Sequence, residues 1–189
     1  MLDKEQNDGF VQPYSDSPHD TENVSENIYM NIIERAKDYV YITTPYLILD
    51  DAMETSLKNA AKAGVDVRII TPHIPDKKLV FEATRASYMP LMKAGVKIYE
   101  YTPGFVHAKM FVSDDKLATV GTANLDYRSL FLHFECGALM YRSAAVSSVK
   151  ADFLETFEKC HRCSIAEMKR RSPFGKALAF VMKIIAPLL

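Results

Sequence analysis

The sequence predicts an α/β fold in which a mixed β-sheet is flanked by helices. Apolar residues at helical spacing alternate with short β-branched runs along most of the chain. Ala-Gly-Val occurs at 63–65 and again at 94–96, each time between a helical stretch and a strand, which is typical of βαβ units with parallel strands. A polar turn at 113–116 between two apolar runs predicts a hairpin, and therefore antiparallel strands as well.

The individual elements follow from the same periodicity, in chain order. The predicted strands are 10–14, 39–43, 65–71, 96–101, 106–112, 117–120 and 134–140. The apolar residues of the first predicted helix are Val24, Ile28, Ile32 and Ala36, and those of the second are Met53, Leu57, Ala60 and Ala61. The later predicted helices are 77–94, 125–131 and 144–160. Pro90 predicts a stop or kink in the third helix, and the Cys160 to Cys163 stretch is interpreted as helical rather than as a metal or redox motif.

Length and composition predict one domain with a full hydrophobic core. The chain has 189 residues and 48% hydrophobic content. We expect a disordered or linker segment at 1–8, one folded domain at 9–165 and a basic amphipathic segment at 166–189. A net charge of −1 argues against a general nucleic-acid binder, and three cysteines favour free thiols in a reducing compartment.

His107 and Lys109 are the first candidates for a site. Within a strand, alternate residues share a face, so the imidazole and the ammonium point the same way from positions about 7 Å apart. Both side chains can then touch one phosphate group. Imidazole is a nitrogen nucleophile with a pKa near neutrality, and an ammonium stabilises the charge of a phosphoryl transition state.

A second block, from Gly121 to Asn124, returns beside the first through the predicted hairpin. Gly121 is expected to give the backbone freedom where the strand turns out, and Thr122 and Asn124 add a hydroxyl and an amide. Asn124 is also a candidate cap for the helix at 125–131. Glu135, at the start of the next strand, is a candidate to hold the imidazole by one ring nitrogen.

Other polar residues are given structural or minor roles. Asp114 has the opposite strand parity to His107 and is interpreted as a turn residue. His73 lies between Pro72 and Pro75 and is interpreted as a loop residue rather than a catalytic one. The five histidines show none of the usual metal-ligand spacings, so neither a metal nor a cofactor is expected.

The pattern His-x-Lys-x-x-x-x-Asp at 107–114, followed by Gly-Thr-x-Asn at 121–124, resembles the signature of the phospholipase D superfamily. Within that superfamily, 124–129 and Phe134-Glu135 resemble the bacterial cardiolipin synthases, and the likeness extends upstream through Thr44-Pro45-Tyr46 and the strands at 64–69 and 94–101.

The resemblance implies a phospholipase D-type sandwich with definite roles for its residues. His107 would be catalytic, with Lys109 and Asn124 acting on the phosphate and Glu135 orienting a histidine. Gly121, Thr122 and Tyr46 would belong to the substrate site. The implied reaction transfers a phosphatidyl group between two phosphatidylglycerol molecules through a phosphohistidine and releases glycerol, at the cytoplasmic side of the bacterial inner membrane.

One departure from the family pattern affects this interpretation. Family members carry the signature twice and have hydrophobic N-terminal segments, whereas this chain has one copy and resembles the C-terminal half. The expected partner is therefore an N-terminal signature-bearing half or a second copy in a homodimer. A phosphodiesterase or nuclease that uses water, and a non-catalytic half-domain module, remain alternatives.

The C-terminal stretch differs in composition from the domain. Residues 169–189 contain five basic residues and no acidic one, and the apolar run is too short and too interrupted to span a bilayer. Such a segment suits an anionic membrane surface. A terminal helix packed on the domain, or on a missing half, is the equally weighted alternative.

Overall fold

The computed structural model describes residues 9–19 and 21–170. The predicted segment at 1–8, and the predicted basic segment beyond residue 170, lie outside this described part. The helices are α1 (Val24–Arg35), α2 (Asp51–Lys62), α3 (Lys78–Lys93), α4 (Tyr127–Phe131), α5 (Ala144–Phe157) and α6 (Ile165–Arg170). The strands are β1 (Phe10–Asp16), β2 (Tyr39–Thr43), β3 (Asp66–Pro72), β4 (Lys97–Tyr101), β5 (Met110–Ser113), β6 (Leu117–Gly121), β7 (Glu135–Tyr141) and β8 (Cys160–Arg162).

The strands form one mixed sheet in the order β1-β7-β6-β5-β2-β3-β4-β8. Strands β2, β3 and β4 are parallel, and the connections between them are the two helices that end in Ala-Gly. The remaining neighbours pair antiparallel, including β5 with β6 through the predicted hairpin. The predicted α/β class with a mixed sheet is confirmed.

Helices cover both faces of the sheet. One face carries α1, α2 and α3, whose buried side chains include Tyr29, Leu57 and Leu91. The other face carries α5, which buries Phe153 and Phe157. Full burial of one such side chain stabilises the fold by about 1.5–3 kcal/mol, so the two apolar layers hold the sheet rigid beneath its polar edge.

Of the stop or kink expected at Pro90, the stop is wrong, and so is the helix predicted at Cys160 to Cys163. The third helix does not stop at Pro90 but runs to Lys93. A proline in the last turn removes only one helical hydrogen bond, and burial of Leu91 beside it holds that turn on the core. The stretch after Cys160 is not helical, because Cys160–Arg162 pairs as the edge strand β8 with β4. No disulfide joins Cys160 to Cys163; all three cysteines are free thiols.

Asp114 lies in the turn between β5 and β6, with a left-handed backbone (φ 52°) that Asp tolerates better than most residues. Its carboxylate accepts hydrogen bonds from the backbone amides of Lys37 (2.7 Å), Asp38 (3.0 Å) and Tyr39 (2.9 Å). These three amides lead into β2. Asp114 therefore ties the tip of the hairpin to the start of the neighbouring strand, far from His107.

Replacing Asp114 by glycine should lower the free energy of unfolding by about 2 kcal/mol, because three amides lose a charged acceptor while the left-handed turn is retained. Urea denaturation gives the value. Asp115→Gly is the matched control. Asp115 has the same backbone conformation (φ 55°), but its exposed carboxylate accepts from the Lys150 ammonium and the Tyr39 hydroxyl instead of from backbone amides. A loss no larger for Asp114→Gly than for Asp115→Gly would contradict the assignment.

Candidate active site

The candidate site lies at one edge of the sheet. Thr43 of β2 pairs with Met110 of β5 and with Ile70 of β3, so the three residues form one row. Because β5 is antiparallel to β2, the residues that precede Met110 lie at the same edge as the residues that follow Thr43 and Ile70. Gly121 and Glu135, at the end of β6 and the start of β7, reach this edge as well.

His107 and Lys109 meet at this edge. They precede β5 rather than lying inside a strand that begins at 106, because the sheet pairing starts only at Met110. The spacing of two residues still brings the side chains together. The Lys109 Nζ lies 2.9 Å from Nδ1 of His107 and donates to the His107 carbonyl at 2.7 Å. Lys109 is only 8% exposed, whereas His107 is open to solvent.

The charges around this pair set their protonation. Partial burial lowers the pKa of His107, the positive charge of Lys109 lowers it further, and the Asp76 carboxylate opposes both. Burial also lowers the pKa of Lys109, against the fields of Glu135 and Asp126. The imidazole thus stays neutral, and able to act as a nucleophile, to a lower pH than an ordinary histidine does.

Thr122 and Asn124 are held by neighbouring groups. The Thr122 hydroxyl accepts from the Cys136 amide at 2.9 Å, so it is bound to the backbone at the start of β7. The Asn124 amide nitrogen donates to the Ser129 hydroxyl at 3.0 Å, while its carboxamide oxygen is buried without a partner among the described residues. Asn124 is not the cap of α4, because that role belongs to Asp126, whose carboxylate accepts from the Ser129 amide.

Gly121 has a different physical role from the one expected. Its backbone is not left-handed; instead it lies against β7 so closely that a Cβ would be 2.7 Å from the Cys136 carbonyl oxygen and 3.1 Å from the Gly137 Cα. Both obstacles are backbone atoms of a paired strand and cannot move aside. Glycine is therefore required for strand approach rather than for conformational freedom.

Glu135 faces this edge from β7. Its field acts on Lys109, and its carboxylate lies 3.8 Å from Nδ1 of His133. The role of Glu135 in orienting His107 stays a prediction. His133 was missed in the sequence, where it stands in the irregular stretch between α4 and β7 and no periodic pattern marks it.

Tyr46 lies on the other side of His107. Its hydroxyl donates to Asp76 at 2.5 Å, which joins the loop after β2 to the loop after β3. The Phe105 ring lies between the two, with its centre 6.4 Å from that of Tyr46 and 5.6 Å from that of His107. Asp76 was also missed, since a loop aspartate next to a lysine gives no signal of the tyrosine that it will contact.

His73 follows β3 at the same edge and is 47% exposed. Its Nδ1 donates to Glu100 at 2.8 Å, and Glu100 is itself buried and bound by the Arg85 guanidinium through two hydrogen bonds. The loop position agrees with the sequence interpretation. The carboxylate that fixes the ring lies 27 residues away in sequence, on β4.

Two of the cavities among the described residues differ in character. A cavity of about 240 Å³ adjoins Asn124, between α4 and the start of α3. A larger, mostly apolar one of about 540 Å³ lies between α1 and the end of β7 at Tyr141, which is the opposite end of the sheet from His107. The candidate residues Tyr46 and Asn124 border the smaller cavity, so the site is assigned to its end of the sheet.

Two further features concern the described residues only. No three His, Cys, Asp or Glu side chains within 9–19 and 21–170 are grouped so that they could hold a metal ion. In the same ranges no helix has the length and hydropathy needed to cross a bilayer.

The charge assignments predict pKa changes of opposite sign at His107. Lys109→Met should raise the pKa of His107, because it removes a positive neighbour, and Asp76→Asn should lower it, because it removes a negative one. NMR titration of the imidazole protons measures both. Lys116→Met, at the far end of the β5–β6 hairpin, is the control and should leave this pKa unchanged. Shifts of the same sign in the two variants would contradict the assignment.

The fold is shared with solved proteins, one of which is described as a phospholipase D family member. The phospholipase D family member Nuc from Salmonella typhimurium superposes with a TM-score of 0.69 at 15% identity, over 82% of this chain and 97% of that chain. Phosphatidylserine synthase from Haemophilus influenzae superposes with a TM-score of 0.76 at 14% identity, over 95% of this chain and 48% of that chain. At such identities the likeness shows the fold alone.

Sequence comparison is more specific. A cardiolipin synthase from Halalkalibacterium halodurans is 37% identical over 182 residues, which cover 96% of this chain and 36% of that protein. The chain spans less than two fifths of the length of the curated relatives that it matches. The family model described as "Cardiolipin synthase, PLD-like domain" matches residues 29–157, which is more than half of the chain. The chain therefore belongs to the cardiolipin synthase family of phospholipase D-like domains.

Proposed function

We propose that the chain is the C-terminal catalytic half of a cardiolipin synthase, which transfers a phosphatidyl group from one phosphatidylglycerol to another. The observation that carries the proposal is the contact between His107 and the buried Lys109 at the sheet edge. A neutral imidazole in contact with a fixed ammonium supports nucleophilic attack on a phosphodiester. Family membership supplies the class of substrate.

In the first step, one imidazole nitrogen of His107 attacks phosphorus. A P–N bond forms, and the P–O bond to the headgroup glycerol of the donor lipid breaks. The leaving glycerol alkoxide takes a proton from an acid. The Lys109 ammonium stabilises the non-bridging oxygens, on which charge accumulates. Because it is already partly desolvated and held by the His107 carbonyl, it needs little reorganisation for this role.

In the second step, a glycerol hydroxyl of the acceptor phosphatidylglycerol attacks phosphorus. The P–N bond breaks, the hydroxyl proton passes to a base, and His107 returns to its neutral form. The lowered pKa of His107 supports the neutral starting state. The second step is the reverse of the first with a different alcohol. The group that protonates the leaving glycerol in the first step therefore acts as the base in the second.

A second signature-bearing half would supply that acid and base. His107 cannot attack phosphorus and protonate the leaving oxygen in the same step. The partner is either the N-terminal half of a longer protein or another copy of this chain. The likeness to phosphatidylserine synthase, which covers only 48% of that larger chain, is compatible with an architecture of two such halves.

Hydrolysis of a phosphodiester by a homodimer is the second candidate. It would use the same residues with water as the acceptor. The match to nearly the whole Nuc chain favours it, because a unit of this length stands as a complete chain there. The net charge of −1 disfavours a nucleic-acid substrate.

Phosphatidylglycerol carrying a ³²P label should give equal amounts of cardiolipin and glycerol and should label the protein at His107. The labelled phosphohistidine should be stable in base and lost in acid, and His107→Asn should abolish both label and turnover. Release of phosphatidic acid without cardiolipin would favour the hydrolytic candidate. An unlabelled protein that still forms cardiolipin would contradict the covalent step.

The need for two halves predicts a mixing effect. If two copies assemble, activity in mixtures of wild-type and His107→Asn chains should fall more steeply than the wild-type fraction, because mixed dimers lack one histidine. Turnover and light scattering are measured on the same samples. Activity proportional to the wild-type fraction, from a species that scatters as a monomer, would overturn the two-half mechanism.

The proposed site of action is an anionic membrane surface, on the cytoplasmic side of the bacterial inner membrane. The basic and apolar composition of 169–189 supports it. A chain ending at Ser172 should bind phosphatidylglycerol vesicles less tightly than the full chain does in flotation assays, and neutral phosphatidylcholine vesicles serve as the control. Equal binding of both chains to the anionic vesicles would contradict this role of the segment.

A further inference from the structure

We propose that the cavity beside Asn124 binds the phosphate of the acceptor lipid, as a second anion subsite separate from the one at His107. The proposal rests on the function proposed above. The product of that reaction carries two phosphates joined through one glycerol. A site that forms it must hold the acceptor phosphate a three-carbon bridge away from the phosphorus under attack.

The cavity is bordered by two residues of the candidate active site. It has a volume of about 240 Å³ and is bordered by Asn124 on one side and Tyr46 on another. Tyr46 leads back to His107 through the Phe105 ring. A headgroup that fills this cavity is therefore a neighbour of the phosphoryl site without occupying it.

The cavity lining carries an excess of basic groups. Lys77, Arg128 and His133 border it, and the only acidic residue of its lining is Asp126. The Asp126 carboxylate already accepts the Ser129 amide. The nearby Asp76 carboxylate, in turn, accepts the Tyr46 hydroxyl and the Lys77 amide. Asp76 lies outside the lining, and His133 has the Glu135 carboxylate 3.8 Å away. Within the lining itself, Lys77 and Arg128 therefore outnumber the single carboxylate.

The start of α3 adds to this balance. Lys77 is the N-cap residue of α3, whose 16 residues begin without a side-chain cap and without an acidic residue in the first turn. The positive end of the helix dipole and its open amides therefore face the region of Lys77 and Val80, both of which border the cavity. Within the described residues no carboxylate pairs with the Lys77 ammonium. A phosphate monoanion matches this set of groups.

The first experiment tests the acceptor step by letting two acceptors compete for one intermediate. The active assembly is given phosphatidylglycerol together with ethanol, and the ratio of cardiolipin to phosphatidylethanol is measured. Both products arise from the same phosphohistidine, but only one acceptor carries a phosphate. Lys77→Glu should lower this ratio roughly tenfold, as expected for reversal of one partly exposed charge at a phosphate.

Lys78→Glu is the matched control, because it makes the same charge change one residue along, outside the cavity lining. It should leave the ratio unchanged. The proposal is overturned if Lys77→Glu keeps the wild-type ratio, or if Lys78→Glu lowers the ratio equally. Since both products come from one sample, a general loss of folding or of donor turnover does not alter the ratio.

The second experiment does not depend on turnover. Glycerol 3-phosphate is titrated into the chain while the amide signals of Lys77, Val80 and Arg128 are followed by NMR. Saturable shifts in the wild type and in Lys78→Glu, and their loss in Lys77→Glu, are expected. Absence of saturable shifts in the wild type would overturn the subsite. If these shifts are present but no cardiolipin forms, the subsite stands and the proposed function fails.

Discussion

The antiparallel pairing of β5 with β2 is the constraint on which the site depends. In a sheet made only of parallel strands, residues that precede one strand lie at the edge opposite to those that follow its neighbours. Here β5 runs against β2, so His107 and Lys109 arrive at the edge where β2 and β3 end. That pairing brings the imidazole within reach of the loops that carry Tyr46 and Asp76.

Burial of the Lys109 ammonium at this edge costs hydration free energy. A lysine that is only 8% exposed loses most of its hydration, and its pKa falls accordingly. The His107 carbonyl, the imidazole and the fields of Glu135 and Asp126 offset that loss. A bound phosphate would give the ammonium a full negative charge in place of these weaker partners. The desolvated ammonium is therefore prepared for an anion before the substrate binds.

The sequence predicts the backbone frame better than the contacts between loops. The contact between His107 and Lys109, the turn at Asp114 and the position of Glu135 follow from rules for neighbouring residues, and the structure has all three. The strand expected at 106–109 is absent, so the two side chains meet without the strand parity from which their contact was predicted. The contact of Tyr46 with Asp76 and that of His73 with Glu100 join segments about 30 residues apart. No local pattern encodes such pairs, because they depend on which strands become neighbours.

The hydrogen bonds at the hairpin tip determine which residues can stand at positions 37 and 38. Asp114 binds the amides of Lys37, Asp38 and Tyr39, not their side chains. The identity of the side chain at 37 or 38 is therefore of little importance to this tie, and many residues can stand there. Proline is the exception, since it has no amide hydrogen to donate. Relatives that preserve the aspartate can thus diverge freely at these two positions while proline is excluded from them.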